Sequence, residues 1–371
     1  MTPDLSLHPT IDPARSSLRE PVPRATRAAF MAEDDKAMLR AARDLTKGLG
    51  EARPGIYWPD MLMSAGVGYA GIAAAILSQS LAVQIAGGLV AALALYRALM
   101  FIHELTHIHR DALPGFRTAW NLLVGIPMLT PSFMYEGVHV IHHKRTQYGT
   151  PEDPEYLPLA LMKPWSLPLF VLVAILAPVA LIFRAAVLVP LGVLIPALRT
   201  FTWERFSALS INPDFRRKPP EGEFVGRVRW QEAGVFVWSW CLIASVFLIG
   251  WQPLAIALTI FSLTAVLNQL RTLVAHLWEN EGEPMTVTAQ FLDSVNVPPP
   301  GLAAEIWAPV GLRYHALHHL MPSMPYHDLP EAHRRLAREL GAGSTYEGAN
   351  HPGMLALVAR IAKSTMGKKS A

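Results

Sequence analysis

The sequence HELTHIH, residues His103–His109, follows an apolar run that extends from Leu81 to Ile102. A helix of about 20 apolar residues is long enough to cross the hydrocarbon core of a bilayer. This run ends in histidines instead of the lysine and arginine anchors that are usual at a membrane boundary. His103 and His107 are four residues apart, so on a helix their side chains lie on one face and can bind the same metal ion. The stretch therefore predicts a membrane helix with a metal site at its end.

Two later segments, HVIHH and HALHH, repeat helical spacings of three and four residues. The clustered histidines of the chain are therefore His103, His107, His139, His142, His143, His315, His318 and His319. A first-row metal ion takes about four to six ligands, so this set of imidazoles suits two ions with coordination positions left open. Imidazole binds iron, zinc, copper and nickel alike, and the residue types alone do not identify the metal.

The composition is that of a membrane protein. Hydrophobic residues make up 51% of the 371-residue chain and charged residues only 16%, whereas soluble domains average about 25% charged residues.

The single cysteine, Cys241, excludes an internal disulfide and any metal or redox motif built on a cysteine pair. The first 57 residues are polar and rich in proline and arginine, without the pattern of a cleavable signal, and we expect a cytoplasmic start.

Long apolar runs predict four to six transmembrane helices arranged in hairpins. The runs cover residues 61–80, 81–102, 165–198, 234–250 and 253–275. The third run is interrupted by prolines and by Arg184, and it could form two spans or a hairpin that enters the membrane and returns. Arg97, the one charge in the first two runs, can snorkel or pair with a carboxylate. The predicted fold is an all-α polytopic membrane bundle with a cytosolic helical cap that carries the histidine-rich metal site.

Positive charge gathers in residues 15–53, 199–229 and 334–369. By the positive-inside rule, we expect both termini and all the histidine clusters on the cytoplasmic face, in a bacterial inner membrane. We predict three segments: a cytosolic tail with an interfacial helix at 1–57, whose first 30 residues are flexible, a membrane catalytic domain at 58–335 and a cytosolic tail at 336–371. The bilayer is the expected surrounding, and no nucleic-acid partner is predicted.

HELTH, HVIHH and HALHH, spread in this order over transmembrane hairpins, resemble the three histidine boxes of the integral-membrane fatty acid desaturase superfamily. The resemblance covers about residues 60–335. It implies a non-haem centre of two iron ions (Fe²⁺/Fe³⁺) on the cytosolic face, with O₂ as co-substrate and an acyl tunnel beneath; zinc could substitute for iron. It also implies that the box histidines are the ligands, together with His276, the lone histidine after the last apolar run. Asn268, on the same predicted helix, is a candidate for a water-mediated contact.

Ligating imidazoles usually donate their second N–H group to a carboxylate or a carbonyl, which fixes the orientation of the ring. Acidic residues near the boxes are candidates for this role: Glu104, Glu136, Asp153, Glu279 and Asp328. Basic residues at 144–145, 199–205, 216–218 and 227–229 could bind an anionic headgroup, or they could simply anchor the chain at the membrane surface.

The predicted activity is O₂-dependent desaturation of a fatty acyl chain, carried by a free acid, a thioester or a lipid. A membrane hydroxylase, ketolase or oxidative decarboxylase is the second hypothesis, because desaturation and hydroxylation both begin with hydrogen abstraction. A metal transporter is a remote alternative, since transporters place ionisable residues near the bilayer midplane and these clusters lie at span ends. Because no fused haem, flavin or iron–sulfur domain is predicted, electrons would come from a separate ferredoxin, rubredoxin or cytochrome b5 with its reductase.

Overall fold

The computed structural model describes residues 33–366, and in this range the regular structure is entirely helical. In chain order the helices are α1 (Lys36–Leu45), α2 (Pro54–Leu77), α3 (Leu81–His107), α4 (Phe116–Trp120), α5 (His139–His142), α6 (Ser166–Leu194), α7 (Pro196–Phe206), α8 (Glu223–Ile249), α9 (Gln252–Leu273), α10 (Val287–Asp293), α11 (Ala303–Trp307), α12 (His315–Leu320), α13 (Leu329–Leu340) and α14 (Met354–Met366). Short 3₁₀ turns lie at Ser132–Met134, Leu159–Leu161 and Thr345–Ala349, and a π-turn at Asn121–Gly125. The flexible tail predicted for residues 1–30 lies outside the described residues.

Five of the helices are long and apolar enough to cross a membrane: α2, α3, α6, α8 and α9. In the most apolar window of each, between 11% and 44% of the residues are buried inside the protein. The other residues of these windows are mostly apolar and are partly or fully exposed, which is the pattern of a surface in contact with lipid. The prediction of an all-α membrane bundle is confirmed.

The α2–α3 hairpin is packed backbone to backbone and brings the chain to His103. A Cβ atom placed on Gly71 would lie 2.7 Å from the carbonyl oxygen of Gly87, so only glycine allows the helices to approach this closely. Nearer the histidines, Arg97 donates two hydrogen bonds of 2.7 and 2.6 Å to the carboxylate of Asp60. The charge within the second apolar run is therefore paired.

Helix α6 lies against both helices of the α8–α9 hairpin and is broken by a 3₁₀ turn at Val173–Leu176 and a π-turn at Arg184–Leu188. Gln269, one turn before the end of α9, donates to the carbonyl oxygen of Phe170 at 2.7 Å. Arg184 pairs at 2.6 Å with Glu232, in the first half of α8. Because α8 and α9 are antiparallel, both contacts lie in the same half of the membrane. These contacts favour a segment that enters the membrane and returns, with α2, α3, α8 and α9 as the crossing helices.

The remaining helices form a cap over one end of the bundle. Helix α1 packs on α13 through Met38 and Ala42, and α14 buries Ile361 against the segment around Leu159 and the start of α6. Leu357 of α14 is buried in a separate cluster with Val274. The cap encloses the ends of α3 and α9, and this is where the histidines lie. The segment limits predicted at residues 57 and 335 stay a proposal.

Candidate metal centre

Nine buried or half-buried histidines meet inside the cap in two groups. Group A consists of His103, His107, His139, His143 and His318, and group B of His142, His276, His315 and His319. Within each group, one ring nitrogen of every residue lies within 4.8 Å of those of the others. These are the nine histidines named as candidate ligands from the sequence.

The helical spacing of the boxes explains why there are two groups. In the second box, His139 and His143 are four residues apart and face group A, whereas His142 faces group B. In the third box the assignment is reversed. His315 and His319 are four residues apart and lie in group B, whereas His318 lies in group A. Helices α5 and α12 therefore each contribute to both groups, which keeps the groups side by side.

The spacing of the ring nitrogens in group A fits a shared metal ion. The Nε2 atom of His143 lies 2.9 Å from that of His139 and 3.1 Å from that of His318. Imidazole nitrogens bound at about 2.1 Å to one ion lie about 3 Å apart. Both ring nitrogens of His103 and the Nε2 atom of His107 are buried without a hydrogen-bond partner. Such groups cost free energy unless they are bound, and a metal ion would bind them.

Group B has the same geometry. The Nε2 atom of His276 lies 3.2 Å from that of His142 and 3.0 Å from that of His315, which is 3.2 Å from that of His319. All four residues are buried. The donor set of each group therefore fits one first-row metal ion.

Carboxylates and tyrosines orient two of the imidazoles in group B. His142 donates from Nδ1 to Asp153, whose two oxygens lie 3.0 and 2.9 Å away. His276 donates from Nδ1 to the hydroxyl oxygen of Tyr148 at 2.8 Å, and this hydroxyl donates in turn to Asp293 at 2.7 Å. In both cases the proton sits on Nδ1, so the lone pair of Nε2 faces the group.

In group A, the corresponding contact is made by a residue that the sequence analysis missed. His139 donates from Nδ1 to Glu155 at 2.8 Å, and Tyr135 donates to the other oxygen of Glu155 at 2.6 Å. The only available sequence signal was the EDPEY stretch, in which Glu155 follows Asp153 by two residues. Nothing in the sequence marks Tyr135 or Tyr148.

Glu104 lies beside group A without orienting it through a hydrogen bond. Its carboxylate accepts hydrogen bonds from the Tyr57 hydroxyl and, at 3.1 Å, from the backbone N–H of Tyr326. The distance from Oε1 to His103 Nδ1 is 3.8 Å. The four other candidates make polar contacts with residues outside the two histidine groups. Glu136 contacts Ser132 and Arg117, Asn268 contacts Arg271, and Glu279 contacts Arg360. Asp328 contacts Arg53, His327 and the Gly50 N–H.

Burial sets the protonation of the groups that lie outside the membrane spans. It lowers the pKa of His143, His276 and His318 well below the usual range, so that these imidazoles are neutral and can bind metal. His142 differs: burial lowers its pKa, but the carboxylates of Asp153, Glu155 and Asp293 together outweigh burial and the net pKa is raised. Burial also raises the pKa of Asp293 to about 6.

Comparison with known proteins gives a family and one strong relative. Residues 78–349 match the family model described as fatty acid desaturase. The chain is 51% identical over 327 residues to a ceramide hydroxylase of Caulobacter vibrioides (strain NA1000 / CB15N), an alignment that covers 86% of this chain and 92% of that protein. No solved structure matches the chain.

Proposed function

The chain belongs to the fatty acid desaturase family, and from this premise we propose that it hydroxylates the hydrocarbon chain of a ceramide-like lipid with O₂. The observation that carries the proposal is the 51% identity, over most of both chains, to a protein named as a ceramide hydroxylase. The histidine groups support an oxidoreductase, because neutral imidazoles can hold the redox-active ions that such a reaction needs.

We assign the two groups as ligands of two iron ions, five imidazoles to one and four to the other. Iron bound there would supply the O₂ activation and the oxidising power needed to break an unactivated C–H bond. Zinc would fit the same imidazoles but cannot change its oxidation state. Protein that holds zinc is therefore expected to be inactive until iron replaces it.

The chain itself contributes orientation. Asp153, Glu155 and Tyr148 hold the tautomers of three imidazoles, and this fixes where the ions sit relative to a bound hydrocarbon. Methylene groups along a chain are chemically almost identical, so the position that is oxidised must be chosen by geometry. The location of the groups at the ends of α3 and α9 suits a substrate that reaches them from the bilayer.

Desaturation, the first hypothesis from the sequence, becomes the second candidate. Both reactions begin with removal of one hydrogen, after which hydroxylation adds an oxygen and desaturation removes a second hydrogen. The name of the relative favours hydroxylation. Membership in an oxidoreductase family gives no support to the metal-transporter alternative.

We also propose that the cap faces the cytoplasm and that a separate ferredoxin, rubredoxin or cytochrome b5 system supplies the electrons. Lys144 and Arg145 directly follow the second box, on the face predicted to be cytoplasmic, and they are exposed. A soluble carrier could approach the ions over this part of the cap, because His107 and His143 of group A are only half-buried.

Lipid analysis tests the reaction. The gene is expressed in a bacterium that makes ceramides but lacks this hydroxylation, and its lipids are compared by mass spectrometry with those of a strain that expresses His318→Ala. We expect ceramides that gain one oxygen only with the wild-type protein, and fragmentation will show which chain carries it. Ceramides that lose two hydrogens, or fatty acids that are modified while ceramides are not, would contradict the proposal.

A further inference from the structure

A small cavity lies beside His315, a member of group B. Its volume is about 10 Å³, and it is lined by Arg271, Arg313 and His315 together with apolar residues that include Val274 and Trp307. A cavity of this size holds about one water-sized molecule. Of the nine histidines in the two groups, His315 alone lines this cavity, and none of the functions assigned above uses it.

Three residues that line this cavity each carry a buried side-chain nitrogen without a hydrogen-bond partner. These nitrogens are Nε of Arg271, Nη2 of Arg313 and Nδ1 of His315. A guanidinium group can only donate. His315 directs Nε2 toward His276 at 3.0 Å, so its Nδ1 carries the proton when Nε2 serves as a ligand. The three groups therefore cannot satisfy one another.

The other contacts of the two arginines leave these donors free. Arg313 uses Nη1 for Glu305 at 2.8 Å and Nε for the carbonyl oxygen of Val297 at 2.8 Å. Arg271 is 8% exposed, and its Nη2 atom lies 3.4 Å from the side-chain oxygen of Asn268. A buried donor without an acceptor costs free energy, so three of them at one cavity would destabilise the protein. An acceptor in the cavity removes this penalty.

We propose that the cavity binds one small hydrogen-bond acceptor, a water molecule or a halide ion, which joins Arg271 and Arg313 to the Nδ1–H group of His315. This acceptor plays for His315 the part that Asp153 plays for His142. Arg271 is then a positioning residue: it holds the acceptor, and the acceptor holds the imidazole toward group B. The effect on metal binding rests on the proposed ligand role of group B, whereas occupation of the cavity does not.

The first test uses the unmodified protein and does not depend on its activity. A high-resolution structure is determined in chloride and again in bromide, with data collected at the bromine absorption edge. We expect density within hydrogen-bonding distance of Arg271 Nε and His315 Nδ1. An anomalous peak there in bromide identifies a halide, and density without that peak identifies water. An empty cavity in both structures would overturn the proposal.

The second test measures the metal. Arg271→Met keeps an unbranched side chain that reaches about as far as Nε but removes the donors, and iron content and affinity are compared with those of the wild type. Loss of a partner of a ligating histidine typically weakens metal binding about 10–100-fold, and we expect a loss of this size for one ion of the two. If Arg271 acted only as a nearby positive charge, its removal would strengthen metal binding, and that result would contradict the proposed role.

Arg184→Met serves as the matched control. Arg184 is also a buried arginine of a membrane helix, 4% exposed, but it donates to Phe206 and Ser207 at the end of α7 and to Glu232 in α8. If both variants lose metal equally, the loss reflects folding and the positioning role is wrong. If only Arg271→Met loses one ion, the role is supported. Failure of the hydroxylation proposal would leave both the density and the metal measurements unaffected.

Discussion

The two histidine groups differ in enclosure and in how firmly their rings are held. Group B has four members, all buried, and two of them are oriented by the hydrogen bonds that they donate to Asp153 and Tyr148. Group A has five members, of which His107 and His143 are half-buried, and Glu155 orients one ring. The difference indicates that group B is the more rigid site and has four candidate ligands, whereas group A is the more open site and has five.

This contrast suggests a division of labour between the two proposed ions. An ion in group B would depend on every imidazole, because four nitrogens are the minimum for a closed tetrahedral site. An ion in group A could lose one ligand and keep four. The open side of group A is also where a reductant or chelator from the solvent would arrive first. Each prediction below is a way to confirm or remove this asymmetry.

Removal of one ligand from each group should have the largest effect. We expect His276→Ala to release one ion per chain and to lower the rate of hydroxylation more than about 100-fold. Loss of a hydrogen-bond partner of a ligand already lowers metal affinity or activity about 10–100-fold, and loss of the ligand itself should lower them further. His107→Ala should retain most of its metal, although its activity falls. Iron per chain, measured on purified protein, distinguishes the two. His109→Ala is the control, since His109 is exposed and lies outside both groups. Equal metal loss in the two ligand variants would remove the asymmetry.

Substitution of the carboxylates that orient the imidazoles should have the next largest effect. Asp153→Asn should weaken metal binding or activity about 10–100-fold, because the amide cannot accept as a carboxylate does. Asp153 is fully buried and also accepts from the backbone of Gly149 and Glu155. Glu155→Gln should have a smaller effect, since that side chain keeps 15% exposure and water can replace part of its role. Metal titrations of both variants measure the difference. A larger loss in Glu155→Gln would reverse the proposed order.

A chelator should remove the ions of the two groups at different rates. A soluble chelator added to the iron-loaded protein is expected to remove one ion several-fold faster than the other, since two ligands of group A are half-buried and those of group B are buried. The release is followed by absorbance of the chelator complex. His107→Ala should speed the fast phase and leave the slow phase unchanged. A single phase for both ions would show that enclosure does not distinguish the groups.

A substitution in the α2–α3 hairpin should lower the stability of the protein without changing the difference between groups A and B. Gly71→Val places a side chain against Gly87, and overpacking of this kind costs about 1–3 kcal/mol. We expect a lower unfolding temperature in detergent and an unchanged ratio of the two chelation rates. Gly66→Val is the matched control, because no atom lies within 4 Å of a Cβ at Gly66. A changed rate ratio in Gly71→Val would mean that hairpin packing reaches the histidines.

Much of the fold could be predicted from local sequence. The crossing helices are continuous apolar runs, and the histidines of each box have helical spacing, so neither prediction needs knowledge of distant contacts. The path of α6 could not be predicted, because it depends on contacts such as Gln269 with Phe170 that bring together residues far apart in the chain. The apolar run alone fits either of the two paths considered.

The residues that orient the ligands were harder to predict for the same reason. Asp153 is 11 residues from His142, but Tyr148 meets His276 from a distance of 128 residues. Nearness in sequence suggested Glu104 and Glu136 as readily as Asp153, yet Glu136 turns to Ser132 and Arg117. A carboxylate near a box can face several partners, and only the packed cap decides which one it meets.

Anomalous scattering at the iron edge from crystals of the iron-loaded protein tests the central claim most directly. The account predicts two peaks, one among the imidazoles of group A and one among those of group B, with His276 beside the second. A single peak, no peak, or peaks outside the two groups would contradict it.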